Sequence, residues 1–556
     1  MNAGRGWGSA PQDGRGLRLL TGRITSPTRL RLIERLLSAV PGSAWHAYEP
    51  TDGPSGEGAR LAFGREIEVV PHLDRADVVL CLDADPLGPG PDQIRLSRGW
   101  SARRREAAAL PRVFVLESAP PPTGAKADER MSAHPAVLQH AVLAVARALG
   151  ADVPEAVLPP DVSRFVAAAV AALQGAQGRA IVLAGRTLPA EGVALVHWIN
   201  ESLGAPVDLV EQGDRTEAAQ PRDVAALRDD LEAGRVGALV VIGANPAYNC
   251  PSLDLARHLP GLALSLHHGL HVDETAELCG WHLPSHHPLE AWSDLRSLDG
   301  TAAVAQPLIR PLYETLSADV LLARLAGLDA TSDLDLVRQT WLPRWTSDAE
   351  GAWRTALKQG VVEGTTFAPI QGLRAALPAT APAGPPSQEM ALVLQPHHAT
   401  FDGSRGNNAW LQECPAPFGK QVWGNALRLA PADAARAGVA DGDVVSLTAG
   451  KVTVNAPVQV TPGQAAGTVA LAVGQGRRKA GAIGTGVGVD AWPLQPAPGT
   501  WVVHGVRLEK TGRRQEILST QQDVRLEAAR EDLYPILSPG QAVRNPGVDA
   551  ARPDFY

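Results

Sequence analysis

The order of apolar strands and amphipathic helices constrains this chain more than any other feature of its sequence. Short stretches typical of buried strands occur at 17–22, 76–85 and 112–118. Helical spacing of apolar residues is found at 29–37 and 135–149, and Gly150 is placed to end the second helix. Strands that alternate with helices form parallel, doubly wound sheets. We therefore predict a first α/β unit over residues 17–150.

A second unit of the same kind is predicted over residues 151–375. Its strands are expected at 179–185 and 237–245, with a helix at 192–204 that is stopped by glycine. The strand at 237–245 runs into the sequence GANP. In open α/β sheets, ligands gather at such strand ends. This pattern indicates a second Rossmann-like unit with a candidate binding loop.

The pattern changes after a stretch rich in proline and alanine, which we interpret as a linker over residues 376–392. Beyond it, short strands follow one another at 443–449, 451–461 and 468–474, with a tight-turn signal, Asp-Gly-Asp, at 441–443. We predict a compact β-barrel over residues 393–510. Residues 1–16 are expected to be a disordered tail, and residues 511–556 a polar C-terminal tail.

Composition excludes several classes of function. At 556 residues the chain is too long for one core, and its net charge of −8 argues against nucleic acid as a partner. No apolar run approaches the roughly 18–20 residues that span a bilayer, and the N-terminus lacks the apolar stretch of a secretory signal. The four cysteines are far apart, with no CxxC spacing. We expect no local iron–sulfur cluster or structural zinc site.

The predicted barrel carries a resemblance to a known family. The sequence from WGNALRLAPADAARAGVADGDVV onward, residues 423–476, resembles the molybdopterin-dinucleotide-binding domain of molybdopterin oxidoreductases, a double-psi β-barrel. Residues 481–494, GAIGTGVGVDAWPL, extend the similarity. The resemblance implies an α/β fold of two Rossmann-like doubly wound units plus a C-terminal double-psi β-barrel.

Other segments resemble one branch of that family. ADVVLCLDADPLGPGPDQ at 76–93, IGANPAYNCP at 242–251 and HVDETAELCGWHLPSHHPLEAW at 271–292 are similar to the molybdopterin-oxidoreductase-like subunit of alternative complex III. That complex is a membrane-bound quinol:electron-acceptor oxidoreductase. Compared with that subunit, we expect this chain to lack the N-terminal signal segment and the C-terminal iron–sulfur half.

A working molybdenum site needs a protein ligand as well as donors for the pterin. The segment 43–64 is the nearest candidate for the ligand loop, and it contains no cysteine. Asp52 and Ser55 have suitable oxygen atoms, but in a loop rich in glycine and proline we interpret both as turn residues. The resemblance to the branch that keeps the fold without the cofactor leads us to expect no bound cofactor, no catalytic residue and no metal ligand. The alternative is a molybdopterin guanine dinucleotide with molybdenum.

The resemblance nevertheless identifies positions that face a pterin in active relatives. Each also has a structural interpretation: turn former, helix cap, or amide that hydrogen-bonds loop backbone. For a chain without cofactor we favour the structural interpretation. The candidate residues are Asn245, Pro246, Asp273, Glu274, His282, Asn408, Gln412, Trp423, Asn425, Gly474 and Gly476.

Histidines and cysteines give two further candidate sites, which we interpret as structural. The histidines at 267, 268, 271, 282, 286 and 287 are close enough in sequence to bind zinc or copper, but no HExxH pattern occurs. Cys81 lies within a predicted strand and is interpreted as core filler. Cys414 has no adjacent basic residue that would make its thiol reactive.

The expected function is therefore a cofactor-free subunit of a membrane-associated quinol-oxidising complex. Its expected partners are an iron–sulfur ferredoxin-like subunit, a polytopic membrane quinol-binding subunit and cytochrome c subunits. The resemblance implies the periplasmic face of a bacterial inner membrane, reached by co-export with a partner that bears a signal. The alternative is an active molybdopterin-dependent oxidoreductase subunit whose electron relay lies on a partner chain.

Overall fold

The computed structural model describes residues 16–90, 92–106, 110–211, 213, 220–379 and 385–521. The predicted N-terminal tail up to residue 15, part of the linker and the C-terminal tail beyond residue 521 lie outside these residues. Within the described ranges, no helix is long and apolar enough to cross a membrane.

The first half of the chain alternates strands and helices. Its strands are β1 (Gly16–Thr21), β2 (Ala44–Ala47), β3 (Glu68–Pro71), β4 (Val78–Leu82), β5 (Arg112–Glu117), β6 (Glu129–Ser132), β7 (Ala180–Ala184), β8 (Val207–Val210) and β9 (Val236–Ile242). Its helices are α1 (Pro27–Ala39), α2 (Ser55–Phe63), α3 (Gln93–Glu106), α4 (Pro135–Ala148), α5 (Pro160–Gly175), α6 (Ala190–Leu203) and α7 (Val224–Glu232).

The middle of the chain has shorter elements. Its helices are α8 (Pro246–Asn249), α9 (Leu255–His258), α10 (Glu274–Leu278), α11 (Ala318–Leu325), α12 (Asp333–Trp341) and α13 (Ala349–Gln359). Its strands are β10 (Leu264–Gly269), β11 (Trp281–Pro284), β12 (Ser293–Arg296) and β13 (Ala302–Ala305).

The last part is mostly strand. It contains β14 (Ala391–Pro396), β15 (Leu427–Leu429), β16 (Asp443–Ala449), β17 (Val452–Val460), β18 (Thr468–Val473), β19 (Val502–His504) and β20 (Arg507–Arg514). The short helices α14 (Ala409–Gln412), α15 (Pro431–Ala437) and α16 (Gly481–Gly484) lie between them. Strand β20 continues past residue 510, where the predicted barrel was expected to end.

Two parallel sheets form the α/β part. Sheet I has the order β11-β10-β9-β1-β2, and sheet II has the order β6-β5-β4-β7. Apolar clusters cover both faces of each sheet, as expected for strands that are apolar throughout. The predicted strands and helices are confirmed, with ends that differ by a few residues.

The sheets do not follow the sequence division at residue 150. Sheet I joins β1 and β2 to strands beyond residue 235, whereas sheet II joins β4, β5 and β6 to β7. Each sheet therefore takes strands from both sides of that boundary. Periodicity predicts that a segment is a strand, but it does not say which strand will pair with it.

Local backbone geometry explains where two predicted strands stop early. Strand β4 ends at Leu82 because Asp83 adopts a positive φ of 54°. Strand β9 ends at Ile242 because Gly243 has a φ of 64°. Residues in this left-handed region cannot continue an extended strand. Both turns free the following residues to form loops at the carboxyl ends of the sheets.

The C-terminal strands form one curled seven-stranded sheet of order β19-β14-β18-β15-β17-β16-β20. It combines parallel pairs, β14 with β18 and β15 with β17, with antiparallel neighbours. Its core includes the fully buried rings of Trp492 and Trp501. Trp501 also donates from Nε1 to the carbonyl oxygen of Asp52 at 2.8 Å, which joins the curled sheet to the loop after β2.

The buried carboxylate of Asp294 on β12 accepts hydrogen bonds from α1 and α12 and so connects these three elements. It is 2% exposed and accepts hydrogen bonds from the Thr28 backbone N at 3.2 Å, the Thr28 hydroxyl at 2.6 Å and Trp341 Nε1 at 2.8 Å. The hydroxyl of Ser26, which caps α1, also donates to it. A buried carboxylate needs this number of donors.

We predict that Asp294→Ala lowers the free energy of unfolding by about 3 kcal/mol, because it leaves several buried donors without an acceptor. Urea denaturation followed by tryptophan fluorescence measures the change. Asp335→Ala, at an exposed position on α12, is the matched control and should cost less than about 0.5 kcal/mol. Equal effects of the two substitutions would contradict this role of Asp294.

Candidate functional site

A cleft of about 800 Å³ lies where the two parallel sheets face the curled sheet. Its volume falls in the range of roughly 300–1,000 Å³ typical of small-molecule sites. Walls come from the loops after β1, β2, β4 and β7 and from β14, β15 and their neighbours in the curled sheet. We refer to this space as the interdomain cleft.

The carboxyl ends of both parallel sheets converge on the interdomain cleft. Arg23 and Glu49 follow β1 and β2 of sheet I, and Asp83 and Arg186 follow β4 and β7 of sheet II; all four line the cleft. Ligands of open α/β sheets bind at this edge. The segment 43–64, in which we looked for a metal-ligand loop, includes cleft-lining residues such as Asp52 and Ser55.

Two arginines in the cleft form no ion pair with a carboxylate within the described ranges, although the charges of Asp52, Asp83 and Asp85 act on Arg186. Arg186 lies 4.9 Å from the Trp501 ring and donates from Nη1 to the carbonyl oxygen of Thr51 at 3.3 Å. Arg428 bonds to the amide oxygen of Gln395, and burial lowers the pKa of Arg428 to about 10. A half-buried guanidinium that forms no ion pair can hold an anion, and its planar donors match phosphate geometry.

Carboxylates also line this space, and Asp52, Asp83 and Asp85 are close enough to Arg186 for their charges to act on it. Burial, followed by the charges of Asp402 and Asp52, raises the pKa of Glu49 to about 7. Burial also raises the pKa values of Asp83 and Asp85. Asp83 accepts hydrogen bonds from Ser118 and Thr187, and Asp85 accepts two from Thr123, and these bonds oppose the rise.

Further polar groups in the cleft suit a heterocyclic ligand. His197 lines the cleft, and its buried Nε2 atom has no hydrogen-bond partner among the described residues. Burial lowers the pKa of His197 to about 4, so the ring is neutral at pH 7. The amides of Gln421, Asn425 and Gln459 also line the cleft. No cysteine is present among its described lining residues.

The predicted residues Asn245 and Glu274 lie instead at a buried junction between sheet I and the curled sheet. Asn245 Nδ2 donates to Glu274 Oε2 at 2.8 Å, and its Oδ1 accepts from the Thr275 hydroxyl at 2.7 Å. Glu274 pairs with Arg477 at 2.8 Å, and both side chains are more than 90% buried. Burial opposes ionisation, but the bonds and charge of Arg477 lower the pKa of Glu274 to about 2.

Predicted amides of the curled sheet are bonded to protein atoms. Gln412 is 2% exposed, donates to the Gly406 carbonyl oxygen at 2.9 Å and accepts from Gln475 at 3.1 Å. Asn425 donates to the carbonyl oxygens of Ala472 and Val489 and accepts from the Val489 backbone N. These contacts agree with the structural interpretation of the two amides, in which they hydrogen-bond to protein atoms rather than to a pterin.

The other predicted residues have local roles. The side chain of Asn408 caps α14, and that of Asp273 caps α10. Pro246 begins α8, and Trp423 has a positive φ of 51°. Of the eleven predicted residues, all of which are described, Asn425 alone lines the interdomain cleft.

The two predicted glycines permit close backbone packing. A Cβ atom at Gly474 would lie 2.3 Å from the carbonyl oxygen of Phe401, and one at Gly476 would lie 2.0 Å from the Asp490 backbone N. Both positions have positive φ angles, 88° and 74°. Only glycine fits at these two positions, because the backbone of the same C-terminal unit packs against them and leaves no room for a Cβ atom.

The histidine and cysteine candidates do not assemble into a metal cluster in the part of the chain that the structure describes. His282 stacks on His267, with their Nδ1 atoms 3.0 Å apart. All four cysteines are free thiols. Burial raises the pKa of Cys81, whereas Cys414 is exposed.

Sequence reasoning did not select the charged residues that line the cleft, although a signal for them exists. Glu49, Asp83 and Arg186 each follow a buried strand within two residues, the same signal that drew attention to Asn245 after β9. Arg428 sits between Leu427 and Leu429 on β15, so alternation along the strand directs it away from the apolar core.

Comparison with known proteins assigns part of this architecture. Residues 406–497 match the family described as the molydopterin dinucleotide binding domain. A search of curated protein sequences finds no match to this chain. The matched segment includes four of the seven strands of the curled sheet, β15 to β18, whereas β14, β19 and β20 lie outside it.

Among solved structures, acetylene hydratase from Pelobacter acetylenicus is similar, with a TM-score of 0.65 and 12% identity over 88% of this chain and 86% of that chain. At this identity the similarity establishes the fold alone: a mixed α/β fold with parallel sheets and a curled sheet. The formyltransferase/hydrolase complex from Methylorubrum extorquens, in complex with methylofuran, gives a TM-score of 0.39 at 16% identity, over 58% of this chain and 92% of that chain. That score is too low to indicate a shared fold.

We predict that Glu274→Gln lowers the free energy of unfolding at pH 7 by about 3 kcal/mol, because Arg477 would keep a buried, unpaired charge. Glu277→Gln is the control, since Glu277 pairs with the half-exposed Lys479 at 2.9 Å, and it should cost less than about 1 kcal/mol. Urea denaturation of both variants provides the measurement.

The ion pair between Glu274 and Arg477 also predicts how the free energy of unfolding depends on pH. The pKa of Glu274 falls from 4.5 to about 2 on folding, so its stabilisation is complete above about pH 4.5 and is lost as the pH falls towards 2. The stability difference between wild type and Glu274→Gln should shrink over that window. A difference that stays constant from pH 5 to pH 2 would contradict the assignment.

Proposed function

We propose that the interdomain cleft binds a molybdopterin dinucleotide and that the chain is the cofactor-binding subunit of an oxidoreductase. The observation that carries this proposal is the position of the cleft: the carboxyl ends of two parallel sheets meet there, opposite the segment that matches the dinucleotide-binding family. This favours the cofactor-bound alternative over the cofactor-free state that the sequence led us to expect. We further propose that the curled sheet is a double-psi β-barrel, which its two parallel strand pairs support.

The residues of the cleft suit such a ligand. Arg186 and Arg428 would hold its phosphates, and the amides of Gln421 and Gln459 would bond the edges of its rings. When bound, the cofactor supplies a metal-centred redox chemistry that no side chain offers. The cleft has no cysteine among its described lining residues, and Asp52 and Ser55, which line it, are interpreted as turn residues, so we assign no protein ligand to the metal. Electron relay is proposed to lie on a partner chain.

We predict that Arg428→Gln reduces the amount of pterin retained on purification by about tenfold, since a charge-assisted hydrogen bond contributes roughly 1.5–3 kcal/mol. The chain would be produced in a host that makes the cofactor, and pterin would be measured by fluorescence after oxidation, with molybdenum and tungsten measured by mass spectrometry. Arg436→Gln, at an exposed arginine paired with Asp433, is the control and should retain as much pterin as wild type. Equal retention by Arg428→Gln, or no pterin on wild type, would contradict the proposal.

A second candidate function is the cofactor-free subunit of a quinol-oxidising complex like alternative complex III. Its specific support is that Asn245, Gln412 and Asn425 already form their hydrogen bonds with protein atoms. In this role the chain would scaffold an iron–sulfur ferredoxin-like subunit, a polytopic quinol-binding subunit and cytochrome c subunits on the periplasmic face of a bacterial inner membrane. Purification of the intact complex from membranes, with those partners present and pterin and molybdenum absent, would select this function over the first.

A further inference from the structure

Glu49 is a carboxylate in the interdomain cleft that has no counter-ion within the described ranges. It follows β2, is half-buried, and its Oε1 accepts one side-chain hydrogen bond, from the Thr51 hydroxyl at 3.1 Å. Its backbone carbonyl oxygen accepts from the Asp52 backbone N at 3.0 Å. Arg186 and Arg428 line the same space and form no ion pair with a carboxylate among the described residues, although Asp52, Asp83 and Asp85 act on Arg186 through their charges. The cleft thus holds charges of both signs.

The charged groups in the region of Glu49 come from four loops. Asp52 lies on the same loop, Asp402 lies on the loop after β14, and Arg23 and Arg186 follow β1 and β7. Burial disfavours the ionised form of Glu49, and the charges of Asp402 and Asp52 add to this effect, so that its pKa is about 7. Tyr48 next to it remains a neutral phenol, because burial raises its pKa well above 10.

The aspartates of the cleft differ from Glu49 in the donors and cations around them. Asp83 and Asp85 each accept hydrogen bonds from hydroxyl and backbone donors, and the charge of Arg186 acts on both. Asp52 is close enough to Arg23 and Arg186 for their charges to lower its pKa against the effect of burial. Glu49 has no such cation among the influences on it.

We propose that Glu49 takes up a proton from solvent when an anion binds in the interdomain cleft, so that the anion and the proton enter together. This inference rests on the proposed function, in which the cleft receives the phosphates of a dinucleotide. In the step, one O–H bond forms on the Glu49 carboxylate and no other bond forms or breaks. The protonated carboxyl can then donate a hydrogen bond to the bound anion.

The physical reason is mutual electrostatic coupling. A bound anion adds negative charge beside the carboxylate and therefore favours its neutral form. By linkage, protonation of Glu49 must strengthen anion binding by the same factor. The affinity of the cleft for an anion should fall as the pH rises through 7.

The test uses inorganic pyrophosphate and isothermal titration calorimetry on the whole chain. At pH 6, Glu49→Gln should bind pyrophosphate about as tightly as wild type, and at pH 8 about tenfold more tightly, because only wild type must then take up a proton. Protonation of pyrophosphate itself is common to both proteins and cancels in the comparison. Glu57→Gln, at another cleft-lining glutamate that pairs with Arg60, should follow wild type at both pH values.

A second variant tests the coupling without removing Glu49. Asp52→Asn takes away one of the neighbouring negative charges, so the infrared band of the protonated Glu49 carboxyl should disappear at a lower pH than in wild type. Glu49→Gln identifies that band by its absence. An unchanged titration in Asp52→Asn would overturn the electrostatic account.

The outcomes separate this inference from the proposed function. If pyrophosphate binds and the ratio of the wild-type and Glu49→Gln affinities is the same at pH 6 and pH 8, the proton coupling is wrong and the anion site stands. If neither protein binds pyrophosphate at millimolar concentration, the cleft is not an anion site, and both the coupling and the proposed function fail.

Discussion

The buried ion pair between Glu274 and Arg477 fixes the curled sheet against sheet I. Glu274 accepts from the Arg477 guanidinium and from the backbone N atoms of Arg478 and Lys479. Arg477 also donates to the Gly403 carbonyl oxygen at 2.7 Å and lies 5.0 Å from the Tyr248 ring. Because an ion pair this deep is stabilising only when all its donors and acceptors are satisfied, the junction has one favourable geometry. That geometry sets the position of the curled sheet as a wall of the cleft.

Much of the fold follows from short-range patterns in the sequence. Strands β4, β5, β7 and β16 are predicted within three residues at each end, since each is a short apolar run that ends at a turn. Which strands pair with each other does not follow from these short-range patterns. Sheet I brings β1 beside β9, more than 200 residues later, and no local pattern encodes that choice. The pairing of distant strands in the two sheets therefore could not be predicted from the sequence.

The candidate site, like the fold, was predictable from the sequence only in part. Asn245 was found because its loop, at the end of a buried strand, resembles a pterin-contacting loop of the family, and Asn425 because it lies in a recognisable family segment. Their side chains, however, bond to Glu274, Thr275 and the backbone of residues 472 and 489. A sequence specifies that an amide is present, but which partner it reaches depends on how the domains pack. Arg186 and Arg428 line the cleft and form no ion pair with a carboxylate among the described residues, a property that only packing creates.

The central claim is that a cleft with unpaired guanidinium groups, formed between two parallel sheets and a curled sheet, holds a pterin dinucleotide. The most direct measurement is an experimental density map of the protein purified from a host that makes the cofactor. The account predicts continuous density for a dinucleotide in the cleft, with its phosphates within hydrogen-bond distance of Arg186 or Arg428. Density for water alone between these arginines, in a preparation whose host is shown to load other pterin enzymes, would contradict it.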